Sequence, residues 1–306
     1  MLDLPKTDDP EAFATWVELS AIAAENGRVT WGTVSEAFRD SGLFDAGSSD
    51  EDTAENATGT TWKVLDQRNQ MLGTTWPFEL TDVALIVRTS KATLESCAAY
   101  TAMMLIEAAG GKWYSTLRIE PGDPVRTWFE HITEASLSRI LSGTTIRFGA
   151  PYPAGCPAEF PARVTFLAGR FGLHAREEEI DEHTSDQQKD DTVDVVARWR
   201  IGNEEPGSLF LLVQCATGAG WQADKIGVPR GDLWTDYVAW NGPLVTALAV
   251  PFVVSEKRVL LRAGKRRLFL DRLRLSVGSP DDLLASSMRK PIADWCRNKL
   301  ALIPRL

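Results

Sequence analysis

Lys189 to Lys225 reads KDDTVDVVARWRIGNEEPGSLFLLVQCATGAGWQADK. Two runs in it, Thr192–Ala197 and Leu209–Ala216, are β-branched and aliphatic, of strand length, and joined by a turn rich in Gly, Pro, Asn and Glu. The pattern predicts a hairpin, and because both runs are almost continuously apolar, both faces of it are expected to be buried. Each run still carries one polar residue, Asp194 in the first and Gln214 near the end of the second. A buried carboxylate costs several kcal/mol unless it is paired or bound to a metal. Asp194 is therefore a metal ligand, a partner of Arg198 or Arg200, or a turn cap. Gln214 either serves a ligand or satisfies backbone groups at a strand end.

The rest of the composition sets limits. A chain of 306 residues, 44% hydrophobic and 25% charged, is long enough for two soluble globular domains. No apolar run approaches the roughly 20 residues of a membrane span. The acidic start MLDLPKTDDPEAF lacks the basic-then-apolar order of an export signal, so a cytoplasmic location is expected. Cys97, Cys156, Cys215 and Cys296 form no C-x-x-C pair and read as buried thiols in a reducing compartment, not as a zinc site. Net charge is −9, but unevenly spread. Residues 1–58 hold three basic residues (Lys6, Arg28, Arg39) against thirteen acids, whereas residues 255–306 hold thirteen basic residues against five acids. The split suits a basic nucleic-acid face and an acidic segment that meets a protein partner, or simply two differently charged solvated surfaces.

Along the chain, Asp9-Pro10 opens a helix with an acidic cap and a proline in its first turn, and Thr30 caps a second. Two short helices around a Gly-containing turn resemble the start of a winged helix or helix-turn-helix. Residues 42–61, centred on GSSDEDTAENATGTT, read as an exposed acidic loop, and helices are expected over 62–72, 92–110, 124–141 (capped by Asp123), 162–172 and 281–300. A strand or short buried helix is expected near 83–87 and strands near 259–262 and 268–275, and 244–254 reads as strand-like or buried. The expected division is a helical domain over 1–150 and a second domain over 151–306. His131, His174 and His183 are isolated, Cys215 has no histidine partner, and no phosphate-cradling or nucleophile-elbow motif is present.

The order helix 162–172, polar loop, Asp191-Thr192-Val193-Asp194-Val195-Val196-Ala197, turn, Leu212-Val213-Gln214-Cys215-Ala216, then helix resembles the core of PD-(D/E)XK nucleases, in particular the Mrr-type restriction endonucleases. The resemblance implies an α+β or α/β fold class: a mostly helical N-terminal half, then a restriction-endonuclease-like mixed sheet flanked by helices. It also implies Mg²⁺ (or Mn²⁺) held by Asp194 and Gln214, with a helix glutamate completing the shell, either Glu159 or one of Glu177, Glu178 and Glu179. The family's lysine falls at Ala216 and is missing. Lys225 takes its place from the next element, or the domain binds DNA without cutting it. The basic segment with Arg258, Arg262, Lys265, Arg266, Arg267, Arg272 and Arg274 is expected to hold the DNA backbone. Over a longer stretch, Trp76-Pro77-Phe78, Phe129-Glu130, Phe148-Gly149, Gln214 to Gly218, Trp221, Lys225 and Asp271 to Leu275 resemble bacterial proteins encoded near phage-defence genes. Together these imply a metal-dependent DNA endonuclease, or a nuclease-like subunit, of an antiviral defence system. The alternative is an inactive DNA-binding or adaptor subunit.

Overall fold

A computed structural model of the chain describes residues 4–5, 9–42, 50–91, 93–183, 191–200, 208–218, 220, 229–254 and 267–303. It divides into two compact units. The first comprises Met1–Asp123, Pro251–Ser255 and Leu284–Leu306, the second Pro124–Val250 and Glu256–Leu283. The compact units divide at 123/124, where the sequence reading set the division at 150, and the C-terminal helix belongs to the first unit. Helix 125–140 looked like the end of a helical domain because it follows other helices in the chain. It packs instead on the sheet of the second unit.

The first unit opens with α1 (Pro10–Ala23), whose cap Asp9 accepts a bond from the Glu11 amide as its sequence implied. Strand β1 (Arg28–Thr30) leads into α2 (Trp31–Asp40), capped by the Thr30 hydroxyl. Then come α3 (Asp50–Leu72), β2 (Phe78–Leu80), β3 (Ala84–Val87) and α4 (Ala98–Gly110). The three strands form an antiparallel sheet in the order β1-β3-β2. Residues 50–61 were expected to be loop and are the first half of α3. Its buried stripe is Ala54, Thr58, Thr61, Trp62, Leu65 and Arg68, at helical spacing. Thr58 and Thr61 bond back to the Ala54 and Ala57 carbonyls, so small and hydroxylated residues build a face that a hydropathy reading overlooks.

The second unit begins with α5 (Val125–Ile140), β4 (Thr144–Arg147), α6 (Phe160–Phe171), β5 (His174–Ala175) and α7 (Glu177–His183). The hairpin follows as β6 (Val195–Arg200) and β7 (Ser208–Cys215). After it come α8 (Gly231–Tyr237), β8 (Val238–Ala239), β9 (Leu244–Ala249), β10 (Arg267–Leu270), α9 (Arg272–Ser276) and α10 (Pro280–Leu283). The first unit closes with α11 (Ser286–Leu300). Two details differ from the sequence reading. Residues 268–275 are a strand and then a short helix, because Asp271 caps α9 through the Arg274 amide. Asp123 bonds the Glu120 amide and pairs with Lys299, so it does not cap α5.

Five strands form one mixed sheet in the order β10-β9-β7-β6-β4. Strands β7, β9 and β10 run parallel, and β6 is antiparallel to both β7 and β4. The hairpin is central, which explains its apolar runs: Val195, Val196, Ala197, Phe210, Leu212 and Val213 are wholly buried. Helix α5 covers one face of this sheet. On the other, Phe160, Val164, Leu167 and Phe171 of α6 with Trp234 and Tyr237 of α8 pack on Ile146, Val196, Phe210 and Leu212. The molecule is therefore a mixed helix-and-sheet protein. No helix among the described residues is long and apolar enough to cross a membrane.

Candidate functional site

With β6 reversed, one end of the sheet gathers the entrance to β6 and the exits of β4, β7, β9 and β10. Exits of parallel strands are where open α/β sheets bind ligands. Asp194 stands there, one residue before β6. Its amide bonds the Val213 carbonyl, and its own carbonyl accepts from Phe148 and Gly149 at the exit of β4. The approach runs through Asp191 and Thr192, both at positive φ (41° and 66°), a strained conformation for non-glycine residues that is held where the surroundings demand it.

The Asp194 side chain is 2% exposed and accepts from two sides. Oδ2 takes the Cys215 amide at 2.7 Å, and Oδ1 takes Arg126 Nη2 at 3.1 Å. The second carboxylate of the site is Glu130, one turn along α5 from Arg126 and fully buried. Arg126 Nε reaches its Oε1 at 3.3 Å, and Arg147 Nη1 reaches its Oε2 at 3.2 Å while also holding the Gly149 carbonyl at 2.9 Å. Gly149 lies against both acids: a Cβ there would be 2.8 Å from Glu130 Oε2 and 3.0 Å from Asp194 Oδ1. Burial raises the Glu130 carboxyl to about 7 and the neighbouring Asp194 charge adds to the effect, while Arg147 and Arg126 oppose it. A carboxyl so shifted beside a second one is a candidate functional group.

Of the residues singled out from sequence, Asp194 is at the centre. Gln214 follows Val213, the ladder partner of Val195, and so stands across the hairpin from Asp194. Its Oε1 is buried and has no hydrogen-bond partner among the described residues, an expensive condition for an amide oxygen. Glu159 is not brought to the pair: it is exposed at the N-cap of α6 and makes no side-chain cap bond. Glu177, Glu178 and Glu179 are exposed on α7. The glutamate beside Asp194 comes from α5, a helix earlier in the chain than the one expected. Ala216, where the resemblance implied a lysine, is buried after β7. Lys225, Arg258, Arg262, Lys265 and Arg266 lie outside the described residues, as does strand 259–262, and the Arg267 side chain is likewise not described.

Arg272 is fully buried at the start of α9, which removes its guanidinium from any surface a nucleic acid could touch. Arg274 is partly exposed and pairs with Asp271 at 2.7 Å. Cys215 places its thiol 3.6 Å from the Thr133 hydroxyl, and burial with the nearby Asp194 charge pushes it well above its ordinary range, so it is no thiolate nucleophile. His131 lies 3.5 Å from Glu134, away from the carboxylate pair in its contacts.

Among the described residues no three His, Cys, Asp or Glu side chains gather as a metal site. Yet Mg²⁺ and Mn²⁺ need only one or two carboxylates and other hard oxygens, keeping several waters. Asp194 and Glu130 are of that kind, and Gly149 leaves open the space a Cβ would fill between the acids; no contact among the described residues brings the Gln214 amide to the pair. The donor chemistry fits. What the sequence reading missed was Glu130 in this role, with Arg126, Arg147 and Gly149 around it. The available signal was an acid flanked by the inward-facing Trp128, Phe129 and Ile132. Comparison of the chain with protein-family models, with curated proteins and with solved structures gives no match.

Proposed function

We propose that the chain is a metal-dependent DNA endonuclease, or the nuclease-like subunit, of a bacterial antiviral defence system. One observation carries this reading: two buried carboxylates, from a helix and from the hairpin, meet at the strand-exit end of a mixed sheet. Asp194 and Glu130 would hold Mg²⁺ or Mn²⁺. The ion would supply charge neutralisation at a scissile phosphate and acidify a water. Arg147 and the Cys215 amide hold the rear oxygens of the two acids, which orients them without further cost at the moment of reaction.

DNA contact is assigned to Arg258, Arg262, Lys265 and Arg266, which lie outside the described residues, and not to the buried Arg272. Helix α3 is a poor phosphate reader: its outward charges are Asp52, Glu55, Lys63 and Asp66, and Arg68 is turned inward. That acidic face suits a protein partner better.

A second reading, an inactive DNA-binding or adaptor subunit, is favoured by Ala216 in place of lysine and by nitrogen donors on all four carboxylate oxygens. Plasmid cleavage in a Mg²⁺ or Mn²⁺ titration separates the two. The endonuclease reading expects metal-dependent cutting that falls at least about 100-fold in Asp194→Ala and Glu130→Gln. Folded wild-type protein that binds DNA with a steep salt dependence, needs no metal for it and never cuts would establish the adaptor.

A further inference from the structure

The donors around the carboxylate pair are unequal. The two rear oxygens, Glu130 Oε2 and Asp194 Oδ2, are held by the buried Arg147 guanidinium and by a backbone amide. Neither donor can leave without disturbing β4 or β7. The two front oxygens, Glu130 Oε1 and Asp194 Oδ1, are both held by one side chain, Arg126, which is 59% exposed while its partners are 0% and 2% exposed. Nε takes one carboxylate and Nη2 the other, so a single solvated cation bridges two buried anions.

Nothing in the helix favours Arg126 where it is. It is the second residue of α5, at the positive end of the helix dipole, and an arginine four residues before a glutamate is the weaker orientation of that pair. Its placement is explained by the carboxylates. Among the described donors, the exposed arginine is also the one that can swing into solvent without leaving a buried charge of its own.

We propose that Arg126 is an exchangeable counter-cation: its guanidinium and a divalent cation occupy the front oxygens of Glu130 and Asp194 alternately. In the metal-free protein the arginine holds the two acids facing each other, with their rear oxygens already fixed. Among the described donors, only this one exposed side chain has to leave for a metal to enter. The inference rests on the metal-binding reading of this pair and concerns how the site is kept ready. An arginine that stabilises the empty site necessarily lowers its apparent metal affinity, since the same oxygens cannot serve both.

The test is Mn²⁺ binding to the full-length protein, followed by the loss of the free-ion electron paramagnetic resonance signal, with no nucleic acid present. Arg126→Gln is expected to bind Mn²⁺ at least about 10-fold more tightly than wild type, and Mn²⁺ is expected to raise its melting temperature by more. Should Arg126→Gln not fold without metal, Arg126→Lys keeps the charge but cannot bridge both acids, and its affinity is expected to lie between the two. Asp194→Asn and Glu130→Gln identify the site by losing the binding. Equal or weaker Mn²⁺ binding in both Arg126 variants, with binding still dependent on Asp194, overturns the exchange while sparing the metal site. Absence of Asp194-dependent binding in wild type and in both Arg126 variants overturns the metal reading itself.

Discussion

In the first unit Arg68 bridges Glu18 and Glu11, and in the second Arg126 bridges Glu130 and Asp194. In the first cluster Arg68 Nη1 meets Glu18 at 2.6 Å and Nη2 meets Glu11 at 2.7 Å. Trp76 Nε1 and the Tyr100 hydroxyl both donate to the other oxygen of Glu18 at 2.8 Å. The arginine, Glu18, Trp76 and Tyr100 are all buried. Burial works against the charge on Arg68, but Glu18 and Glu11 outweigh it and hold the guanidinium above its ordinary range. That cluster joins α1, α3 and α4 and, among the described residues, reaches solvent only through Glu11, which is 21% exposed. In the second cluster the bridging arginine lies in solvent, and burial and mutual repulsion raise one of the acids it caps. A network bridged by a buried arginine fastens a fold, whereas one bridged, among the described residues, by an exposed arginine can admit a ligand.

The largest expected effect tests the first cluster. Arg68→Ala leaves Glu18 buried without its charge partner and should cost about 3–5 kcal/mol, read as a fall in the urea midpoint of the first unit. Arg126→Gln, which removes an exposed bridge, should cost no more than about 1–2 kcal/mol in the same assay. Equal losses would erase the distinction between the clusters.

Next in size is a pH effect peculiar to the second cluster. The folded-state pKa of Glu130, about 7, lies above its ordinary value of 4.5. As pH rises, the unfolded chain releases this proton first, so folding stability is full below about 4.5 and declines until about 7. The decline should amount to roughly 3 kcal/mol at most. Urea unfolding at pH 4.5, 5.5, 6.5 and 7.5 measures it. Glu130→Gln should flatten the curve across that window, and an undiminished slope in the variant would assign it to another group.

A smaller effect probes the crowding around the acids. Gly149→Ala inserts a Cβ 2.8 Å from Glu130 Oε2 and 3.0 Å from Asp194 Oδ1, so one carboxylate must move, although Arg147 and Arg126 hold them. A loss of about 1–3 kcal/mol is expected in urea unfolding. A loss below about 0.5 kcal/mol would mean that the pair is less firmly held than its bonds imply.

How much of this was legible from residues alone differs between the two clusters. The hairpin was, because both its strands are central and therefore apolar throughout, and Asp194 stood out as the one acid in such a run. Glu130 did not stand out. It belongs to an amphipathic helix where acids are common, and only the tertiary placement of α5 at the strand exits turns that face inward. The expected helix at 162–172 exists but supplies apolar packing to the opposite face of the sheet. The same physics hid the first half of α3, where Ala54, Thr58 and Thr61 make a buried stripe without strongly apolar side chains. Patterning finds what is buried because it is oily. It misses what is buried because of where the backbone puts it.

The smallest expected effect concerns that stripe and contrasts directly with Gly149. Gly59 lies inside α3, and a Cβ there meets only Trp31 Cη2 at 3.5 Å, ordinary van der Waals contact. Trp31 is held in an edge-on pair with Trp62 of the same helix at 5.0 Å, so the new methyl adds contact to a surface already formed. Glycine in a helix interior is less favourable than alanine by about 0.5–1 kcal/mol, because it gives up more backbone freedom on folding. Gly59→Ala should therefore stabilise the protein by about that amount, seen as a small rise in melting temperature, whereas Gly149→Ala lowers it. The opposite signs follow from what each glycine is for. At 149 the missing side chain makes room beside two carboxylates, and at 59 it makes room for nothing. A fall in melting temperature for Gly59→Ala would mean that the α2–α3 contact depends on the bare backbone after all.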